Sequence, residues 1–204
     1  MSTTVTADST LERLVGLLEA HNPNLWALLQ AQTEQTFVAA AEGAIERAVR
    51  TIEEGAKQYS DLDEPGLSKL LTDFLNLAGC RATAERSING HVDVVIEHSF
   101  SGPWKYLGEC KIHRGFQYHV DGCKQLLGYC TGREQRAFCL DFFNSAGMFD
   151  KLAKMRKQMD KERPLQQTEV STTHTIKGSF LTSHTHPSGS DVELLHLGCS
   201  VPKT

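Results

Sequence analysis

The sequence predicts an α/β fold: a mixed central sheet with helices on both sides. Three observations carry this. The hydrophobic period switches from helical to two at Cys80, turn signals then cut three strand-like runs, and an apolar run at residues 137–143 lies between two helical segments.

Taken in order, a polar leader precedes a short helix at residues 11–20, which Asn22-Pro23-Asn24 breaks with turn chemistry. One long helix is expected over residues 25–58. Within it Val38, Ala41, Ile45, Ala48 and Ile52 recur at heptad spacing, a seam that either packs on the protein's own body or pairs two copies as a homodimer. Residues 1–58 are therefore expected to be a helical extension, with 59–204 as the main domain. Asp63 is a good N-cap, followed by Glu64 and Pro65. Leu67, Leu70, Leu71, Phe74 and Leu75 form the apolar stripe of that helix, and Gly79 suits its end.

Residues 81–88 and 91–97 flank Asn89-Gly90, a two-residue hairpin signal, and Ser101-Gly102-Pro103 turns the chain into a third strand at 105–112. A helix over 117–130, the strand 137–143 and a basic helix over 148–163 follow. Strand-like runs at 176–186 and 192–199, joined by Pro187-Ser188-Gly189-Ser190, make a C-terminal hairpin.

The chain of 204 residues has 40% hydrophobic and 23% charged residues, ordinary for a soluble globular protein. It shows no apolar run long enough to span a membrane and no secretory leader pattern, so a cytoplasmic protein without a membrane partner is expected. Six cysteines at 80, 110, 123, 130, 139 and 199 contain no CxxC pair and favour neither a disulfide framework nor a structural zinc. Residues 1–73 hold twelve Asp/Glu against five Lys/Arg, and the rest thirteen against sixteen, so a polyanion would meet the second part.

Alternation places His91, Asp93 and Val95 on one strand face, and Leu107, Glu109 and Lys111 on one face of the third strand. Asp93 and Glu109 can thus converge in the meander. Two carboxylates and an ammonium suit a hard divalent cation such as Mg²⁺, which keeps waters and takes further oxygens from a substrate phosphate. Lys111 would orient an attacking water or stabilise developing negative charge. The carbonyl of Cys110 would complete the metal shell, and Glu64 is the outer acid or base, with Asp61 and Asp63 competing for that role. The basic residues of 148–163 either contact phosphates or form a solvated helix face, whereas Lys124, Arg133, Arg136 and His113 lie nearer to the proposed site and are the candidates for nucleic-acid contact. His184, His186 and His196 offer a separate transition-metal reading.

Gly90-His91-Val92-Asp93, Gly108-Glu109-Cys110-Lys111, Gln125-Leu126-Leu127-Gly128-Tyr129 and Arg133 together resemble the PD-(D/E)xK nuclease superfamily, over residues 60–150. Val92 stands where that pattern has Pro. The resemblance implies a restriction-endonuclease-like αβββαβ core, with Asp93 and Glu109 as metal ligands, Lys111 as the catalytic lysine, Gln125 facing the site and Glu64 as the first-helix acid. It also implies a Mg²⁺-dependent nuclease, with Mn²⁺ able to substitute, that cuts DNA in bacterial defence or repair. The alternative is an inactive nuclease-fold module that binds nucleic acid or protein.

Overall fold

The computed structural model describes residues 7–98 and 102–203, so the first six residues of the polar leader and Ser101 of the expected turn lie outside it. The helices are α1 (Ala7–His21), α2 (Pro23–Gln30), α3 (Glu34–Glu54), α4 (Ala56–Tyr59), α5 (Glu64–Leu77), α6 (Phe116–Tyr129) and α7 (Met148–Glu162). The strands are β1 (Arg81–Ser87), β2 (His91–Glu97), β3 (Lys105–Ile112), β4 (Arg136–Phe143), β5 (Thr172–Thr173), β6 (Phe180–Thr185) and β7 (Asp191–Ser200).

The single helix expected over 25–58 is three helices. Thr33 and Thr36 form a reciprocal capping box, each side-chain oxygen accepting the other's backbone N–H at 3.1–3.2 Å, and this starts α3 afresh after the extended Ala31. Gly55 ends it. The seam residues Val38, Ala41, Ile45, Ala48 and Ile52 are all buried, in the core that α5 and the sheet share. Of the two readings of the seam, packing on the protein's own body is the one seen here, and α3 forms a layer of the core.

One sheet runs in the order β1-β2-β3-β4-β7-β6-β5. β1, β2 and β3 are antiparallel, β3-β4 and β4-β7 parallel, and β7-β6 antiparallel, so the sheet is mixed as expected. Its edge loop differs from the two-residue turn anticipated at Asn89-Gly90. Ser87 pairs with His91, and Ile88 leaves the ladder to pack against the core beneath α6, giving a three-residue loop. Asn89 and Gly90 both take positive φ, +50° and +146°.

One face, bearing Val94, Ile96, Tyr106, Cys110, Phe138, Leu140 and Leu197, packs on α3 and α5. The other, bearing Val95, Leu107, Cys139 and Leu194, lies under α6 and α7. Among the described residues no helix is long and apolar enough to cross a membrane.

A buried carboxylate locks α3 to the sheet. Glu42 accepts the Tyr106 hydroxyl at 3.0 Å, Arg136 Nη1 at 2.9 Å and His174 Nε2 at 3.2 Å. Burial alone would raise its pKa, but the bonds from His174 and Arg136 outweigh burial and hold it below the ordinary value. A depressed folded-state pKa contributes stability above the unfolded value, which is lost as pH falls through the folded one. Glu42→Ala should therefore cost about 1–3 kcal/mol by denaturant titration at pH 7, because it leaves the buried Tyr106 hydroxyl without its acceptor and Arg136 with Glu193 alone. The deficit relative to wild type should shrink below pH 4.

Candidate active site

β2 and β3 pair only from Val94↔Gly108 to Glu97↔Lys105. One residue further, the Asp93 side chain replaces the ladder: its Oδ2 accepts the Cys110 backbone N–H at 2.9 Å. The diverging strands open a notch over the face that carries Glu109 and Lys111. Glu109 is 2% exposed and its Oε1 lies 2.5 Å from Lys111 Nζ. Glu64 reaches across from the first turn of α5, placing Oε1 3.4 Å from Lys111 Nζ and accepting the Ile112 N–H on Oε2 at 2.8 Å. Four of the residues singled out in the sequence therefore meet at one place.

Geometry also separates the three acids near the start of α5. Asp63 caps the helix, accepting from Gly66 N at 2.9 Å; Asp61 is exposed, and only Glu64 turns to Lys111. Cys110 presents its main chain to the notch, while its thiol packs on the opposite layer against Ser68. Gln125 is exposed on the stripe of α6 that holds Tyr118, Gly122 and Tyr129, spaced three or four residues apart. Gly122 is the close approach on that stripe: a Cβ there would meet Lys111 side-chain carbons at 3.1–3.2 Å.

The remaining sequence candidates divide. His113, two residues beyond Lys111, donates from Nδ1 to Asp141 Oδ2 at 2.7 Å and stacks on Phe143. Lys124 is exposed beside Leu127 and His186, on the flank of α6. Arg136 is not brought to the notch. It begins β4, three residues before the Cys139 that pairs with Glu109, roughly 10 Å along the strand. Its guanidinium is held by Glu193 and Glu42. Arg133 precedes it in the loop beside Trp104 and Lys105, at the same remote end.

Three site residues escaped sequence reasoning. Tyr118 donates its hydroxyl to Glu64 Oε2 at 3.3 Å. Arg114 lies over the Tyr118 ring at 5.0 Å. Asp141, the strand partner of Lys111, is fully buried between His113 and His119. A lone Asp inside the apolar run 137–143 was its signal. His184, His186 and His196 do not gather as three ligands: Thr182 links His184 to His196, while His186 bonds Ser188 and the Cys130 carbonyl.

Electrostatically the notch is crowded with negative charge. Burial and then the Asp93 charge push Glu109 up to about 7. Asp93 is also raised, mainly by burial, against the opposing bond from Cys110. Burial disfavours charge on Lys111, yet the Glu109 bond and the three surrounding carboxylates outweigh it and keep the ammonium protonated. Glu109 Oε2 is buried without a hydrogen-bond partner. An unpartnered carboxylate oxygen facing a second carboxylate is the donor set a hard divalent cation satisfies, so these residues fit Mg²⁺.

No protein-family model matches this chain, and neither a curated protein nor a solved structure matches it.

Glu109 contributes one part of the pH response of the ion-free protein. Its folded pKa lies above the ordinary 4.5, so the folded state holds a proton that the unfolded chain has released. Stability should then fall as pH rises from about 4.5 to 7 and level off above, by on the order of 3 kcal/mol. Denaturant midpoints in EDTA at pH 5 and pH 8 should show this fall in wild type, and Glu109→Gln should largely abolish it.

Proposed function

We propose that this chain is a Mg²⁺-dependent nuclease of the PD-(D/E)xK type that hydrolyses phosphodiester bonds in DNA, with Mn²⁺ able to replace Mg²⁺. The reading rests on one observation above the rest: Asp93, Glu109, Glu64 and Lys111 converge where β2 and β3 part, and an oxygen of the buried Glu109 has no partner. The αβββαβ order of α5, β1 to β3, α6 and β4 is consistent with the restriction-endonuclease-like type.

Asp93 and Glu109, with the Cys110 carbonyl, would hold the ion. When bound, it supplies Lewis-acid polarisation of a phosphoryl oxygen and makes water more acidic. The chain's own groups do the rest. Cys110 N–H fixes the orientation of Asp93, leaving Oδ1 for the ion. Lys111, protonated between Glu109 and Glu64, presents a compact positive charge to the non-bridging oxygens as negative charge builds on phosphorus. Glu64, anchored by Ile112 N–H and Tyr118 hydroxyl, keeps Lys111 in reach and can accept a proton from the attacking water.

The approach to the notch favours a polyanion. Arg114 is exposed beside Tyr118, and Lys154, Lys157 and Lys161 form an exposed stripe on α7, which covers the same sheet face. Lys124 and Gln125 are exposed on α6 and are the residues assigned to substrate contact.

Supercoiled plasmid, linear duplex and single-stranded DNA incubated with Mg²⁺ or EDTA test the proposal. Wild type should cut at least one substrate with Mg²⁺ and none with EDTA. Asp93→Ala and Lys111→Ala should each lower the rate by roughly a hundredfold or more. Arg136→Gln should lower it only as far as it lowers stability. Cleavage that persists in both site variants would show that the activity lies elsewhere.

A further inference from the structure

The sheet face that carries the acidic notch continues inward as a buried layer of imidazoles and thiols that the proposed hydrolysis does not use. His119 and Cys123 stand one turn apart on α6, and Cys139 and His196 are direct neighbours across β4 and β7. All four are fully buried, and the donor atoms of His119, Cys123 and Cys139 lie within 4.8 Å of one another.

The outer atoms of both rings are already engaged. His119 Nδ1 is bonded to Asp141 Oδ1 at 2.9 Å, and His196 Nε2 to Thr182 Oγ1 at 2.7 Å. This leaves His119 Nε2 and His196 Nδ1 facing each other at 2.8 Å, with Cys123 Sγ 3.5 Å from the first and 3.9 Å from the second. Cys139 Sγ lies 3.8 Å from His119 Nδ1, the nitrogen that Asp141 engages, and hydrogen-bonds with Cys123. In a tetrahedral zinc site, Zn–S of about 2.3 Å and Zn–N of about 2.0–2.1 Å put sulfur and nitrogen ligands about 3.5 Å apart and two nitrogens about 3.3 Å apart. The spacings among His119 Nε2, His196 Nδ1 and Cys123 Sγ come close to these values once the imidazole pair opens by about half an ångström, and Cys139 Sγ would move in from the Nδ1 side of His119 as the fourth ligand.

We propose that His119, Cys123, Cys139 and His196 form a closed structural Zn²⁺ site that clamps α6 onto β4 and β7. On binding, zinc replaces the proton shared by the two imidazoles, and both thiols release theirs to solvent. The two thiolates then neutralise the ion, so the buried centre carries no net charge. Asp141 and Thr182 orient the two rings as outer hydrogen-bond partners of the ligands. Soft sulfur and imidazole donors select zinc, whereas the oxygen donors of the notch select Mg²⁺, so one face would hold two unlike ions. Because α6 also carries Gly122 and Tyr118 against Lys111 and Glu64, the clamp would fix the wall of the notch.

Metal analysis of protein expressed in zinc-supplemented medium should find one zinc per chain. Cobalt exchanged into the site should give the intense ligand-field bands of a tetrahedral centre and a thiolate-to-cobalt charge-transfer band. Cys123→Ala and Cys139→Ala should lose both signals, while Asp93→Ala and Cys199→Ala keep them. Stripping the metal with a chelator should lower the melting temperature by several degrees. Absence of zinc together with no charge-transfer band in excess cobalt would overturn the proposal, and so would bands that survive both cysteine variants. If those variants do not fold, Asp141→Asn decides: zinc should then be lost to a competing chelator about tenfold more readily, and unchanged retention would overturn the proposal.

Discussion

The hydrogen bond from Cys110 N–H to Asp93 is the constraint on which the rest of the site depends. It replaces a ladder contact with a side chain and so ends the β2–β3 pairing at Val94 and Gly108. Without that exchange the two strands would stay in register, and Asp93 and Glu109 would stand opposite one another as like charges on a continuous sheet, an arrangement that strands avoid. The bond holds Asp93 in place and opens the notch in which Glu109 is buried. Glu85 adds to the tension from the far side. It takes φ +50° between the pairs Ala84↔Val94 and Arg86↔Val92, opposite Asp93, and its charge bears on the Asp93 carboxyl.

Lys111 is what makes this crowding tolerable. Three carboxylates surround it, and it pairs directly with Glu109 and Glu64. Burial, and then the Asp93 charge, outweigh that pairing, so Glu109 stays raised to about 7, and one of its oxygens is unpartnered. A folded protein keeps such an uncompensated arrangement at the expense of stability, and perturbed carboxyl groups of this kind cluster at sites of chemistry. The core elsewhere follows the opposite rule. Glu42 is also a buried acid, yet Tyr106, Arg136 and His174 satisfy it, and its pKa is depressed.

Much of the fold could be read from the sequence because local signals and packing agree. Asp63 caps α5, Gly79 ends it with φ +96°, and the strand 137–143 is buried on both faces. Failures came where tertiary contacts decide. The helical pattern of 25–58 is real, but Thr33 offers the backbone a cap in mid-pattern and α3 restarts there. Seam spacing alone does not distinguish packing against the chain's own sheet from packing against a copy. Arg136 follows the site in sequence, yet it begins the neighbouring parallel strand and so lies at that strand's far end. Asp93, Glu109 and Lys111 were legible because strand alternation fixes their faces. The pairing of Glu64 with Lys111, 47 residues away, and the burial of Asp141 between two histidines depend on how α5 and α6 dock.

The most direct test of the account is calorimetric titration of Mn²⁺ into the protein at pH 7.5, comparing wild type with Asp93→Asn and Glu109→Gln, each verified as folded by circular dichroism. Wild type should show one Mn²⁺ site that both substitutions abolish or weaken at least tenfold, with proton release on binding as the raised carboxyl ionises. Binding that is absent from wild type at millimolar Mn²⁺, or equal in all three proteins, would contradict the assignment of this notch as a metal site.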